Sequence, residues 1–225
     1  MNNNFFENAR INMVNNQILP NGVKNSELIN SFINIKKELF VPESERHLVY
    51  SDSDIMITPK RYLIRSFVLA KMFEYCSFLK EESVMIVGCL TGYSVAILSN
   101  LVNYVFGIEN NKKLVDLANK TLSEMGFLNC SVFFKSNLVS GNIKNCPYDK
   151  IFIEGSTNSV PEMLVKQLKE NGEIYTVQRK NDNYVGDFVR GQKIGSTISY
   201  TKLFNTSLHE LEDFITQEND YEGYK

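Results

Sequence analysis

An apolar run near the middle of the chain is followed by two glycines and by the predicted N-terminus of a helix. This combination could bind a nucleotide. Residues 84–93 read VMIVGCLTGY, so an apolar strand leads into a turn holding Gly88 and Gly92 and then into a helix from Tyr93. Gly88 allows a tight turn, and Gly92 leaves room for backbone contact with a ligand at the helix N-terminus. An ordinary strand-to-helix turn explains these two glycines equally well.

A carboxylate closes the next apolar run. Glu109 follows Ile108 about twenty residues after the glycine turn, which is the spacing at which an acid binds a ribose. A carboxylate there can accept hydrogen bonds from both ribose hydroxyls. Taken alone, Glu109 would be interpreted as a solvated acid at a strand end, but its spacing from the turn favours a ligand.

Two further strand ends carry polar side chains. Asn137 follows the apolar run 131–134 and can hydrogen-bond an adenine amino group, although an asparagine in a plain turn fits equally well. Glu154 follows the run 150–153. Because the carboxyl ends of parallel strands meet at one edge of a sheet, we expect all four strand ends to line one crevice.

Apolar periodicity predicts the elements that position these residues. Strands alternate with helices, as in a parallel sheet. The predicted strands are 83–87, 105–108, 131–134, 150–153 and 172–177, and the predicted helices between them are 93–100, 112–125 and 160–169. The near-continuous apolar strands suit a doubly wound α/β sheet covered on both faces. Renewed alternation at 196–204, after the polar stretch 179–195, predicts a closing antiparallel hairpin.

The regions outside this core are assigned by the same signals. An N-terminal helical cap is predicted from helices at 5–18 and from Asn25 or Ser26 to before Pro42, then an irregular loop at 50–61 and a helix at 62–78. The last residues, 216–225, are polar and are expected to be frayed. We predict one domain over 1–225, divided into a cap with a substrate-side loop (1–60), a core (61–204) and a polar tail (205–225).

Composition limits the class of partner. The net charge is −2 and the isoelectric point near 5.8, so no positive field would collect nucleic acid or an anionic membrane. The four cysteines form no C-x-x-C pair and the chain has two histidines, so we expect no metal site and reduced, buried thiols. No secretory signal or membrane-length apolar stretch is evident. We expect a soluble cytoplasmic protein that acts on a protein or a small molecule.

The order of short motifs resembles that of the protein-L-isoaspartate (D-aspartate) O-methyltransferases. Residues 9–18, ARINMVNNQI, are similar to the family's A-R-x-x-M-V-x-x-Q-[IL] opening, and 39–42, LFVP, to its F-V-P segment. Residues 84–93 correspond to its V-L-E-I-G-T-G-S-G-Y cofactor loop, and 146–151, CPYDKI, to its A-P-[FY]-D-x-I. The resemblance covers roughly residues 9–177.

This resemblance implies a Rossmann-like methyltransferase fold that uses S-adenosyl-L-methionine (SAM) for protein repair. The methyl acceptor would be the carboxylate of an isoaspartyl residue in a damaged protein or peptide. That carboxylate is already ionised and SAM carries an activated methyl group, so catalysis is mainly in-line positioning, and we assign no catalytic residue. The implied cofactor contacts are Gly88, Cys89, Gly92, Tyr93, Glu109, Asn110, Asn137, Leu138 and Glu154.

Several positions depart from the family pattern. Ile86 and Leu90 stand where the cofactor loop has an acidic residue and a glycine, and residues 136–138, SNL, replace G-D-G. Aligned without gaps, Ile64 stands where the family has its substrate-side serine; Ser66, two residues away, is no equivalent. Each change removes a polar partner or backbone freedom from the predicted site.

Three alternatives follow from these departures. The chain could be a SAM-binding protein with a changed acceptor, or a methyltransferase-like scaffold without turnover, either a monomer or a homodimer through the helical cap. An NAD-dependent oxidoreductase would require a fuller dinucleotide fingerprint than this sequence has. Arg61 and Arg65, at the spacing of one helical turn, are candidates for binding an anionic acceptor or for a solvated face.

Overall fold

The computed structural model describes residues 3–179 and 185–214; the expected frayed tail at 216–225 lies outside the described residues. The strands are β1 (Ile55–Thr58), β2 (Arg61–Leu63), β3 (Ser83–Val87), β4 (Tyr104–Glu109), β5 (Cys130–Phe134), β6 (Tyr148–Thr157), β7 (Leu168–Gln178), β8 (Gly186–Ile194) and β9 (Thr197–Thr206). The α-helices are α1 (Asn3–Met13), α2 (Ser26–Asn34), α3 (Ser66–Cys76), α4 (Tyr93–Ser99), α5 (Lys112–Glu124) and α6 (Glu162–Lys166).

Seven strands form the central sheet in the order β5-β4-β3-β6-β7-β8-β9. The pairs from β5 to β7 are parallel, and β8 and β9 close the sheet as an antiparallel hairpin. The predicted doubly wound, mostly parallel sheet with a closing hairpin is therefore confirmed. Chain order reverses between β3 and β6, and ligands of such sheets bind in the crevice at that point.

Strand β3 lies at the centre of the packing. Val84 and Ile86 contribute to the apolar core on one face, whereas Met85 and Val87 contribute to the core on the other. Helical elements cover the sheet on both sides, which explains the near-continuous apolar strands. Among the described residues, no helix is both long and apolar enough to span a bilayer.

The N-terminal helical cap is present. Helix α1 continues as a π-helical turn (Val14–Ile18), and Gly22, with φ 85°, ends the short 3₁₀ turn that follows. The Asn25 side chain caps α2 by accepting hydrogen bonds from the backbone N–H groups of Glu27 and Leu28. Buried Arg10 ties the cap together because it donates to the Ile33 carbonyl at 2.6 Å.

The predicted loop at 50–61 and helix from 62 are wrong in part. Strands β1 and β2 pair antiparallel as a hairpin, and Lys60 takes a left-handed conformation in its turn. Helix α3 begins only at Ser66, so Arg61 and Arg65 do not share a helix face. Strands of three or four residues are too short to show a period that distinguishes them from loop. Helix α6 is also shorter than predicted, because β7 already begins at Leu168.

Candidate functional site

The ends of β3, β4, β5 and β6 surround the turn after β3, and we call this region the crevice. Gly88, with φ 80°, turns the chain, and its backbone N–H donates to the Ile108 carbonyl of β4 at 2.9 Å. Leu90 is left-handed at φ 51°, although it stands where the resemblance places a glycine. The glycine-type backbone is thus retained at a cost of about 1–2 kcal/mol for a side chain in that conformation.

Glu109 is fully buried at the end of β4, and both of its oxygens are engaged. The Arg61 guanidinium donates to Oε2 at 2.8 Å and to Oε1 at 3.2 Å. The backbone N–H groups of Leu90, Asn110 and Asn111 complete the carboxylate's hydrogen bonds at 3.0–3.1 Å. Glu109 thus lies at the strand end where the sequence predicts a ribose-binding acid, and that role remains a prediction. Arg61 from the β1–β2 hairpin occupies the hydrogen-bonding positions that ribose hydroxyls would take.

A segment beyond the sheet, residues 207–214, lies along the crevice, and we call it the closing segment. The Ser156 N–H donates to the His209 carbonyl at 2.9 Å, and the Leu211 N–H donates to the Ser156 carbonyl at 3.2 Å. The Leu211 side chain rests on the glycine turn, since a Cβ placed on Gly88 would lie 3.2 Å from it. The segment therefore pairs with the C-terminal end of β6, and its Leu211 side chain covers the turn.

Asp213 of the closing segment reaches the third strand end. Its Oδ2 accepts from the Leu138 N–H at 2.8 Å and from the Asn110 side-chain amide at 3.3 Å. The Asn137 side chain accepts from the Val139 N–H at 2.8 Å and so caps its own turn. The polar groups predicted to contact adenine are thus hydrogen-bonded within the chain.

Glu154 is the buried acid on the β6 side of the crevice. The Ser94 hydroxyl donates to its Oε2, and its Oε1 has no hydrogen-bond partner among the described residues. Burial raises the pKa of Glu154 to about 7, against the opposing hydrogen bond from Ser94 and the positive charge of Arg61. A carboxyl group in this environment can hold or lose a proton near neutral pH.

The remaining predicted contacts shape the turn through their backbone. The Tyr93 ring is fully buried and packs on Phe40 and Phe32, at centroid distances of 5.6 and 6.2 Å. Gly92, with φ 86°, precedes α4. Cys89 is fully buried, and burial raises the pKa of its thiol, as expected for an unreactive cysteine. These three positions remain predictions as cofactor contacts.

A buried lysine that sequence analysis missed lies beside Ile64, the position that the resemblance assigns to the acceptor. Lys37 is fully buried, and its Nζ donates to the Ile64 carbonyl at 3.3 Å and to Ser66 Oγ at 3.0 Å. Burial lowers the pKa of Lys37 to about 8, although the charges of Asp54 and Glu154 oppose this change. Ile64 itself is buried, so its replacement of serine leaves an apolar side chain and a lysine-bound carbonyl there.

Arg61, Leu211 and Asp213 were also missed as crevice residues. The sequence offers Arg61 as a candidate for binding an anionic acceptor or for a solvated face, not as a partner of Glu109, and the other two residues lie in the predicted polar tail. Leu208, Leu211 and Phe214 are all buried, and three apolar residues at three-residue spacing in a polar stretch are the signal that could have marked a packed segment.

Among residues 3–179 and 185–214, no group of three or more His, Cys, Asp or Glu side chains is arranged to hold a metal ion. Cys76 and Cys130 are buried free thiols like Cys89, while Cys146 is partly buried.

Comparison with known families and proteins gives a consistent result. A family model described as Protein-L-isoaspartate(D-aspartate) O-methyltransferase matches residues 8–204. The protein-L-isoaspartate O-methyltransferase of Geobacter metallireducens is 30% identical over 169 residues, covering 75% of this chain and 78% of the relative. That of Syntrophus aciditrophicus is 26% identical over 210 residues, covering 93% of this chain and 95% of the relative.

Solved structures share the fold. A Plasmodium falciparum structure, described as a protein-L-isoaspartate O-methyltransferase in complex with S-adenosyl-L-homocysteine, matches with a TM-score of 0.75 at 19% identity, over 91% of this chain and 98% of that one. A second protein-L-isoaspartate O-methyltransferase structure matches with a TM-score of 0.79 at 21% identity, over 90% of this chain and 65% of that one. The predicted Rossmann-like methyltransferase fold is confirmed.

Proposed function

This chain belongs to the protein-L-isoaspartate (D-aspartate) O-methyltransferase family, and on that premise we propose that it methylates isoaspartyl carboxylates of damaged proteins with SAM as methyl donor. The observation that carries the proposal is the family match over residues 8–204. The buried acid Glu109, at the sheet position where a ribose is bound, supports it.

The donor chemistry of the crevice fits a SAM-type cofactor. Glu109 would accept hydrogen bonds from the ribose hydroxyls, and the Leu138 N–H and Asn137 would face the adenine. The turn at Gly88 leaves room for the rest of the cofactor. When bound, SAM supplies a methyl group activated by its positively charged sulfur. All of these contacts require Arg61 and the closing segment to move aside.

The chain's own contribution to the reaction is positional. An acceptor carboxylate is ionised at neutral pH, so no side chain has to remove a proton from it. The residues around Ile64 would hold the acceptor in line with the methyl group and exclude water. The Cys89, Gly92, Tyr93, Asn110 and Glu154 assignments are part of the same proposal, as contacts that shape the crevice.

Two observations favour other candidates. The apolar Ile64 in place of a serine favours a changed acceptor. The engagement of Glu109 by Arg61 favours a methyltransferase-like binding module that does not turn over. Both alternatives make measurable predictions, and one experiment separates them from isoaspartyl methylation.

The proposal also covers the setting of the protein. We propose a single domain over residues 1–225 that is a monomer or homodimer in the cytoplasm. It would act on proteins or peptides that carry isoaspartate, and would bind neither nucleic acid nor membrane. The net charge of −2 and the unpaired cysteines support this setting.

The test pairs cofactor binding with methyl transfer. Calorimetric titration with S-adenosylhomocysteine (SAH) should show binding that Glu109→Ala weakens at least 10-fold. The control Glu162→Ala, at an exposed acid on α6, should bind as the wild type does. With radiolabelled SAM, an isoaspartyl peptide should be methylated and the matched aspartyl peptide should not. Binding without transfer would favour a changed acceptor, and no binding at millimolar SAH would favour the binding module.

A further inference from the structure

We propose that Arg61 and the closing segment form a self-blocking device that occupies the cofactor crevice and must open before the cofactor binds. This inference rests on the proposed function, because it concerns the same cofactor site. It differs from loss of the site, since the binding groups are retained and are engaged by the chain itself.

Three contacts of the device take up three parts of the predicted cofactor site. The Arg61 guanidinium donates to both oxygens of Glu109, where ribose hydroxyls would donate. The Asp213 carboxylate accepts from the Leu138 N–H at 2.8 Å, where an adenine nitrogen would accept. The Leu211 side chain fills the space above the turn, packed on Gly88. Arg61 thus donates where the ribose would donate, and Asp213 accepts where the adenine would accept.

Leu211 also covers the crevice on its β6 side. A Cβ placed on Gly155 of β6 would lie 2.5 Å from Leu211 Cγ, and one placed on Gly88 of the β3 turn 3.2 Å from Leu211 Cδ1. The leucine therefore bridges the two strand ends at the point where chain order reverses. Any ligand at that point would have to displace it.

Arg61 and the closing segment are linked outside the crevice. Lys60, next to Arg61, pairs with Glu212 at 2.7 Å, and Tyr62 stacks on His209 with ring centroids 3.7 Å apart. The hairpin end and the closing segment are therefore expected to open together. Because the linking ion pair is exposed, solvent screens it and opening at this outer edge costs little.

Closing and cofactor binding exclude each other, so the apparent affinity for the cofactor falls with the fraction of open molecules. Weakening the device must tighten binding. Asp213→Ala and Leu211→Ala should each tighten SAH binding about 5- to 20-fold in calorimetric titration. Glu162→Ala should leave it unchanged. Neither residue is assigned to the cofactor contacts, so direct loss of a cofactor contact would not mask the effect.

Hydrogen exchange provides a readout that does not depend on activity. In the ligand-free wild type, the amides of Leu138, Ser156 and Leu211 should be protected by their hydrogen bonds. Added SAH should speed exchange at Ser156 and Leu211, because the closing segment leaves. In Asp213→Ala, these two amides should already exchange faster without ligand.

The device is overturned if both substitutions leave SAH affinity at the wild-type value. It is also overturned if SAH leaves exchange at Ser156 and Leu211 unchanged, or if neither the wild type nor the variants bind SAH. Failure of isoaspartyl methylation alone looks different. In that case the substitutions tighten SAH binding as expected, but no isoaspartyl peptide is methylated.

Discussion

Two buried glutamates flank the end of β3, and their surroundings are opposite. Glu109, on the β4 side, has a guanidinium and three backbone N–H groups around its carboxylate. Glu154, on the β6 side, has the Ser94 hydroxyl and a second oxygen without a partner in the described part of the chain. Two glutamates at the same end of the sheet thus differ: the carboxylate of Glu109 has a cation and several hydrogen-bond donors, and the carboxyl group of Glu154 has one hydroxyl donor.

The difference shows how a fold can accommodate a buried acid in two ways. A carboxylate that receives a cation and several hydrogen bonds stays charged, whereas one without them is neutralised by binding a proton. The pKa of Glu154, raised by burial to about 7, places it in the second group. The crevice therefore holds, at Glu154, a carboxyl group whose charge changes near neutral pH.

The largest effect is expected from removing the compensating cation. Arg61→Ala should lower the free energy of unfolding by about 3–5 kcal/mol at pH 7, because it leaves Glu109 as a buried charge without its counter-ion. Urea denaturation measures this change. The double variant Arg61→Ala/Glu109→Gln should recover most of the loss, and an equally unstable double variant would contradict the compensation.

A smaller effect that depends on pH is expected from Glu154→Gln. Burial raises the pKa of Glu154 from 4.5 to about 7, so the folded state holds the proton more tightly than the unfolded state. The stabilisation is complete below pH 4.5 and is lost as the pH rises to 7. Relative to the wild type, Glu154→Gln should gain about 3 kcal/mol of unfolding free energy between pH 4.5 and pH 8. A difference that stays constant across this range would show that Glu154 does not titrate there.

Ser94→Ala tests the hydrogen bond that Glu154 receives. Loss of this bond should cost about 1 kcal/mol above pH 7, where the charged acid needs it most. Because the bond opposes the raised pKa, the pH-dependent loss of stability should also move to higher pH. Ser99→Ala is the matched control, since its hydroxyl donates to the Ala96 carbonyl of its own helix. Equal pH profiles for the two variants would argue against a role for Ser94.

The smallest effect concerns the exposed neighbour of the Arg61–Glu109 pair. Lys60→Ala removes the surface ion pair with Glu212 and should leave the free energy of unfolding within experimental error of the wild type. It should still tighten SAH binding, though less than Asp213→Ala does, because it weakens only the outer link of the closing segment. A marked loss of unfolding free energy would mean that the Lys60–Glu212 pair stabilises the fold as well as linking the hairpin to the closing segment.

The fold was largely predictable because its signals are local. The apolar run 83–87 coincides with β3, and the predicted helix 112–125 differs from α5 by one residue. Buried parallel strands and amphipathic helices carry their burial pattern in consecutive residues. Asn25 and Ser26 were the two candidates for the start of the second helix, and Asn25 is the residue that caps it.

The candidate site was predictable only in its strand ends. The sequence predicted Glu109 at the end of a strand, which is where β4 ends. Nothing local indicated that Arg61, 48 residues earlier, would pair with it. Leu211 and Asp213 act through contacts across the whole domain, and the polar residues around them favoured an unpacked tail. Contacts between distant side chains depend on the finished fold, so composition and periodicity carry no record of them.

The closing segment is also the last described part of the chain to be synthesised. As the protein grows from its N-terminus, the crevice strands and Arg61 are made before residues 207–214. Glu109 can therefore find Arg61 while Leu211 and Asp213 are still missing. A cofactor present during translation meets a more open crevice than one added to the finished protein.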